Sequence, residues 1–334
     1  MTADGEHLRF REALQALALA LVPGAARIES LRRLSAGATL ETWSFDVIGA
    51  GETVGMILRR APGGLRAEGT LPLSTEAEVI RAVSAAGVPA PEVRWVLTPA
   101  DGLGDGFLMT RIPGETIPRK VLRDEEFAQV RPRLAHQLGA IAGAVHGVDV
   151  SRLPQLAVRD APRTIESLER RHLGMSRPRP VFDLALRWLR DRMPAPLERQ
   201  QLIHGDYRNG NVIFGPEGVR AVLDWEIAHL GDPMEDLAYL CIPPWRFGQI
   251  DRPAGGLGTR EQLFEGYESA SGVTVDRERV RFWEVLSSLR WGVGCASMLD
   301  WFRSGRDTSV ERAMIARRAS ENELDLLRAM SGRD

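Results

Sequence analysis

The sequence predicts an α+β protein of two lobes, a small antiparallel sheet with one inserted helix over residues 1–112 and a mainly helical lobe over residues 113–334. Two observations predict it. A chain of 334 residues is long for one core and short for three. Its apolar pattern also changes period: alternation broken by Gly and Pro dominates the first part, whereas helical spacing dominates the rest.

The first element is an amphipathic helix, with Phe10, Leu14, Leu17 and Leu21 at helical spacing. Its apolar stretch, residues 13–26, is too short to span a bilayer, and Asp4 and Glu6 stand where a secretory leader would be basic. The chain therefore reads as cytoplasmic. Residues 40–48 alternate, with Trp43, Phe45 and Val47 on one face. Gly49-Ala50-Gly51-Glu52 turns the chain into a second strand, Val54 to Arg59. A helix is expected over 75–86 from a Ser74/Thr75 cap, ended by Gly87 with Pro89 and Pro91 beyond it. Strands Val93 to Leu97 and Phe107 to Ile112 complete the sheet before Pro113-Gly114 breaks it. Phe127, Val130, Leu134, Leu138, Ile141 and Val145 then mark a long helix. Two more helical stretches over 163–193 are separated by Arg177-Pro178-Arg179-Pro180. A short hairpin follows, Val212 to Phe214 and Val219 to Asp224 around Gly215-Pro216-Glu217-Gly218. The loop Pro243 to Gly258 leads into a helical tail.

Composition excludes several classes. With a net charge of −2 the chain has no electrostatic footprint for nucleic acid or an anionic membrane. Neither Cys241 nor Cys295 belongs to a CxxC pair, so zinc and redox motifs have no support, and two reduced core cysteines are expected. Walker A, HExxH and GxSxG patterns are absent.

The chemistry concentrates in Leu202-Ile203-His204-Gly205-Asp206-Tyr207-Arg208-Asn209-Gly210-Asn211, followed eighteen residues after Asp206 by Asp224-Trp225-Glu226. The intervening hairpin returns the chain, so Asp224 can lie beside Asn211. One carboxylate is then free to face a substrate, and a carboxylate–amide pair offers oxygen ligands that suit Mg²⁺. Phosphoryl transfer asks for such parts, because its loose transition state needs positioning and charge neutralisation. Any one of these residues alone would be an ordinary turn or strand-end residue; the three at this spacing are not.

This block resembles the aminoglycoside phosphotransferase superfamily, in which His-Gly-Asp is followed by Asn five residues after the Asp. Residues Leu223 to Glu226, Gly231-Asp232-Pro233 and Asp236-Leu237-Ala238 look like the branch related to the kinase-like domain of acyl-CoA dehydrogenase family members 10 and 11. The resemblance runs from about residue 30 to about residue 300 and implies a protein-kinase-like fold. It implies Asp206 as the catalytic base, Asn211 and Asp224 as Mg²⁺ ligands, His204 as a brace of the loop, and Asp236 as its backbone anchor. Gly37 falls where a phosphate-covering loop should be. Arg59 takes the place of the usual phosphate-binding lysine, and Glu76 that of its carboxylate partner; Lys120, the only lysine, lies too far along the chain to replace it. Arginine can clamp phosphate oxygens bidentately. Backbone groups of Thr110, Arg111 and Ile112 would hold the adenine of ATP or the base of GTP. Arg208, two residues after the base, would reach the transferring phosphoryl group.

The acceptor implied is a hydroxyl on a small molecule. The segment from Val150 to Gln200, where relatives place much of their acceptor-binding insertion, carries 11 arginines against 6 acidic residues. That argues against a polycationic aminoglycoside. Trp283, Trp291 and Trp301 could line an apolar pocket or pack in the core. Two rival classes stay open: a nucleotide-binding pseudokinase module without transfer activity, suggested by Arg59, and a protein kinase, disfavoured by Asp224-Trp225-Glu226 in place of Asp-Phe-Gly.

Overall fold

The computed structural model describes residues 3–36, 40–49, 51–61, 63 and 69–333. Gly37 lies outside the described residues. The chain begins with helix α1 (Ala3–Leu21) and three strands, β1 (Ala25–Ala36), β2 (Glu41–Gly49) and β3 (Thr53–Ala61). Helix α2 (Leu73–Ala85) and strands β4 (Val93–Val96) and β5 (Asp105–Thr110) follow. The five strands form one antiparallel sheet in the order β1-β2-β3-β5-β4. Its core gathers Phe10, Leu14 and Ala18 of α1 against Phe45, Val47, Met56, Leu58 and Leu108 of the sheet. The expected face of β2 is thus real, with Phe45 and Val47 fully buried and Trp43 against Phe10 at 4.9 Å between ring centroids.

Helices α3 (Pro118–Arg123), α4 (Arg131–His146), α5 (Ala161–Leu173) and α6 (Pro180–Arg190) come next. Then follow β6 (Gln201–Ile203), β7 (Val212–Gly215), β8 (Gly218–Val222) and β9 (His229–Gly231). The chain ends in α7 (Met234–Cys241), α8 (Arg260–Ser271), α9 (Arg277–Arg303), α10 (Val310–Ala316) and α11 (Arg318–Ser331). Two compact units result: Met1–Thr116 with Val148–Gln155 and Asn211–Ala228, and Ile117–Gly147 with Leu156–Gly210 and His229–Asp334. In the first, β7 and β8 form a hairpin tied to the sheet unit by the Glu115–Phe214 bridge and by Val222 N–H donating to Pro89 O at 2.8 Å. In the second, α4 and α8 pack through glycines. A Cβ on Gly139 would come within 1.9 Å of Leu263 O, and one on Gly266 within 2.0 Å of His136 O. Cys241 and Cys295 are both buried, on α7 and α9. Among the described residues no helix is long and apolar enough to cross a membrane.

Some local expectations need correction. Strand β1 is an element not expected from the sequence; it carries no clean alternation, because bulges interrupt its pairing with β2 and Ser30 takes φ 54°. Among the described side chains of β1 only Ile28 is buried, beside Arg27, Glu29, Arg32 and Arg33, as suits a charged edge strand. Helix α2 does not start from Ser74 or Thr75. Pro72 stands at its N-cap without a side-chain cap bond, and buried Leu73 opens the helix. Helix α4 begins at Arg131 rather than Phe127, which closes a 3₁₀ turn, Glu125–Phe127, ahead of Pro132 in the first helical turn. Strand β8 ends at Val222, two residues short of Asp224.

Candidate active site

In the first unit, an ion-pair cluster forms around Arg59. Strand β3 pairs it with Phe107 of β5 and Thr42 of β2, which fixes the direction of its side chain. Its guanidinium meets Glu76 of α2 at 3.2 Å, Asp224 at 2.6 Å and Glu226 at 2.9 Å. Burial opposes a charged arginine here, yet the carboxylates of Glu76, Asp224 and Glu226 outweigh it and raise the Arg59 pKa above its ordinary value. Glu76 is almost fully buried, whereas Asp224 and Glu226 keep 31% and 32% of their side-chain surface exposed.

Asp224 lies in the left-handed region at φ 67°, where a non-glycine residue is uncommon and Asp and Asn are tolerated best. The hairpin explains how it gets there. Val212 pairs with Val222, and Leu223 N–H donates to Asn211 O at 2.8 Å, so Asn211 and Asp224 leave the ladder side by side. Trp225 anchors the bend from below, fully buried with Nε1 donating to Val222 O. A carboxylate and a primary amide oxygen are hard donors, and the pair fits Mg²⁺, which takes few protein ligands and completes its shell with phosphate and water.

The expected nucleotide-base segment is partly engaged within the protein. Thr110 N–H donates to Glu92 O and Arg111 N–H to Gly55 O, each at 2.9 Å. The Arg111 guanidinium is drawn back onto the sheet, to Asp46 at 2.6 Å and Ser44 at 3.1 Å. Of the groups proposed for a base, the N–H groups of Thr110 and Arg111 already have partners.

In the second unit, the loop after β6 presents Asp206. Asp236, on the first turn of α7, accepts the N–H of His204 at 2.8 Å and that of Gly205 at 2.9 Å. His146 Nε2 lies 3.1 Å from the same carboxylate, and Tyr267 OH 3.3 Å from His146 Nδ1. Burial works against ionisation of Asp236, but the His146 contact and the donated N–H groups prevail and lower its pKa. His204 Nδ1 accepts the N–H of Asp206 at 3.2 Å, a brace across the turn. Gly205 takes φ 82°, a conformation that favours glycine. Further on, Asn209 donates to Trp245 O at 3.1 Å and Gly255 O at 2.6 Å, pinning the loop to the segment after α7.

Arg208 is not an exposed loop arginine. Its Nε lies 3.2 Å from both oxygens of Asp206, and its guanidinium stacks on Trp245 at 4.8 Å from the ring centroid. A Cβ on Gly210 would come within 2.2 Å of its Nη1, so the glycine gives it room. Trp283 is a core residue donating to Asp232 Oδ2 at 2.7 Å, whereas Trp291 meets Trp245 edge to face at 4.9 Å.

Sequence reasoning missed several contributors. Glu226 stood in the quoted motif without a role; its spacing of two from Asp224 was an available signal. His146, Glu235, Tyr239, Trp245 and Arg290 gave none, since they reach the loop only through tertiary folding.

The α+β fold is kinase-like. The family model described as "Phosphotransferase enzyme family" matches residues 30–283, and the chain belongs to that family. Acyl-CoA dehydrogenase family member 10 of Mus musculus is 28% identical over 201 residues, 56% of this chain and only 18% of that protein's length. Among solved structures, a protein of Ralstonia eutropha assigned to the aminoglycoside phosphotransferases superposes with a TM-score of 0.75 at 22% identity, covering 96% of this chain and 98% of that one. A thermostable mutant of aminoglycoside phosphotransferase APH(4)-Ia, in ternary complex with AMP-PNP and hygromycin B, gives a TM-score of 0.61 at 18% identity, over 92% of this chain and 95% of that one.

Proposed function

We propose that this chain transfers the γ-phosphoryl group of ATP or GTP to a hydroxyl of a small molecule, with Asp206 as the base that orients the acceptor and takes its proton. The observation that carries this reading is the meeting of Arg59, Glu76 and Asp224, far apart in sequence, at 2.6 to 3.2 Å. A cation held by a buried carboxylate and presented beside a metal-binding aspartate is what a triphosphate requires. The nucleotide in the APH(4)-Ia complex supports the choice of donor. Asn211 and Asp224 would hold Mg²⁺, which supplies charge neutralisation on the phosphates. Asp224 meets Arg59 now and would share its carboxylate with the metal once a nucleotide is bound. Arg208, which pairs with Asp206, would exchange that carboxylate for the oxygens of the transferring group.

The acceptor is a neutral or anionic molecule of the cytoplasm rather than an antibiotic polycation, because residues 150–200 are net basic and Arg208 lies at the proposed base. A second reading, a nucleotide-binding module without transfer, draws on the arginines that engage Asp206 and Asp224. The two separate in one experiment. Radiolabelled transfer from [γ-³²P]ATP and from GTP, with Mg²⁺, is screened against hydroxylated metabolites, hydroxyacyl-CoA thioesters and aminoglycosides, with Asp206→Ala alongside. Transfer to one acceptor that falls by ~10²–10⁴-fold in Asp206→Ala supports the proposal. Mg²⁺-dependent nucleotide binding with no transfer to any acceptor favours the second reading.

A further inference from the structure

Arg290, on α9, follows Gly205 by 85 residues in sequence, yet its Nη2 donates to the Gly205 carbonyl at 2.8 Å. Its Nη1 donates to Glu235 at 2.8 Å, and its guanidinium covers the ring of Tyr239 at 4.5 Å from the centroid. The Tyr239 hydroxyl is hydrogen-bonded to the Asp206 carboxylate. Glu235 is itself oriented from its far oxygen by His229 at 3.2 Å, both residues being buried.

These contacts complete a clamp. Gly205, the residue before Asp206, is held at its N–H by Asp236 and at its carbonyl by Arg290, from two successive residues of α7 and one of α9. The Asp206 side chain is held separately by Tyr239, whose ring Arg290 covers. A group that only balanced the Glu235 charge would need neither the Gly205 carbonyl nor the tyrosine face.

We propose that Arg290 and Tyr239 are positioning residues for Asp206: Arg290 fixes the Gly205 peptide and the Tyr239 ring, and the Tyr239 hydroxyl sets the angle at which the carboxylate meets an acceptor hydroxyl. The proposal rests on the reading of Asp206 as base. A misplacement of about 1 Å at such a group is enough to cost ~10²-fold in rate.

The test uses the full chain in two arms. In the first, amide hydrogen exchange is followed over residues 203–209 in wild type, Arg290→Met and Arg290→Lys. Arg290→Met keeps apolar contact with Tyr239 and loses both donors. Exchange at Gly205 and Asp206 rises at least tenfold in Arg290→Met while α9 residues 280–289 keep their protection, and Arg290→Lys recovers part of it. Unchanged exchange at the loop, or an increase spread over the whole second unit, overturns the role of Arg290. In the second arm, ADP release from Mg·ATP with water as acceptor is compared in wild type and Tyr239→Phe. The variant keeps the melting temperature and the KM for ATP but loses 10- to 100-fold in kcat, and the Asp206 carboxyl ¹³C resonance moves at pH 7. Wild-type kcat and an unmoved resonance overturn the role of Tyr239. Should wild type release no ADP to water, the exchange and resonance measurements still decide the clamp, and the acceptor screen with Asp206→Ala decides separately whether Asp206 is the base.

Discussion

Replacing Arg59 by methionine keeps the length of the side chain and deletes the guanidinium. Three ion pairs go with it, but they do not weigh equally. Asp224 and Glu226 keep 31% and 32% of their side-chain surface exposed, so each of those contacts is worth about 0–1 kcal/mol. Glu76 is 1% exposed, and breaking its buried pair with Arg59 costs about 3–5 kcal/mol. That is a large share of the ~5–15 kcal/mol that holds a typical domain together. Glu76→Gln in the same background removes the buried charge. The double variant is therefore expected to be more stable than Arg59→Met alone, with a coupling of about 2–3 kcal/mol between the sites. Urea unfolding followed by circular dichroism, for wild type, both single variants and the double, measures this. A single-variant cost below about 1 kcal/mol, or strict additivity in the cycle, would refute the claim that Arg59 and Glu76 form one buried unit.

Asp236→Asn is expected to flatten the acid limb of the stability curve: the folded pKa of Asp236 is lowered, so its contribution is present above the ordinary carboxylate range and is lost as pH falls below it, which urea midpoints from pH 7 to pH 3 resolve. Asp224→Asn, chosen because asparagine tolerates φ 67°, should keep the fold and abolish the Mg²⁺ dependence of nucleotide binding in calorimetric titrations; an unchanged metal effect removes Asp224 from the ligand set. Arg208→Ala should lower kcat and kcat/KM together by ~10²–10³-fold with the identified acceptor, and near-normal turnover would reduce its role to the packing against Trp245. Kanamycin-like polycations should give no ADP release above background in a coupled assay, and efficient turnover of one would reverse the charge argument.

Much of the fold was legible in the sequence because two periods do not mix: β2, β3, β5 and the β7–β8 hairpin announce themselves by alternation and turns, and α1 and α4 by their apolar stripes. Strand β1 was not legible, since bulges and charged residues erase the period of two, and three-residue strands such as β6 and β9 are too short to have one. At the site, Asp206, Asn211 and Asp224 could be named from spacing because a single hairpin of known length relates them. Arg59 and Glu76 could be paired only through the family pattern. Tyr239 and Arg290 could not be found at all: they touch the loop from α7 and α9, and no local pattern records a contact across 85 residues. The Thr110–Arg111 segment shows the converse failure, in which a correctly located strand said nothing about which of its N–H groups the sheet had already engaged.

The choice of guanidinium over amine at position 59 reaches beyond stability and affinity to how this protein can be detected. Reagents that deliver an electrophile on a nucleotide scaffold label kinases by acylating or sulfonylating the lysine that faces the phosphates. Here that nucleophile is replaced by a group whose pKa is raised further by three carboxylates, and the one lysine of the chain, Lys120, belongs to α3. If Arg59 is the phosphate-facing cation proposed above, amine-directed profiling of a cell extract would therefore record Lys120 and remain silent at position 59. An arginine-selective dicarbonyl, applied with and without nucleotide, is the probe that matches this chemistry.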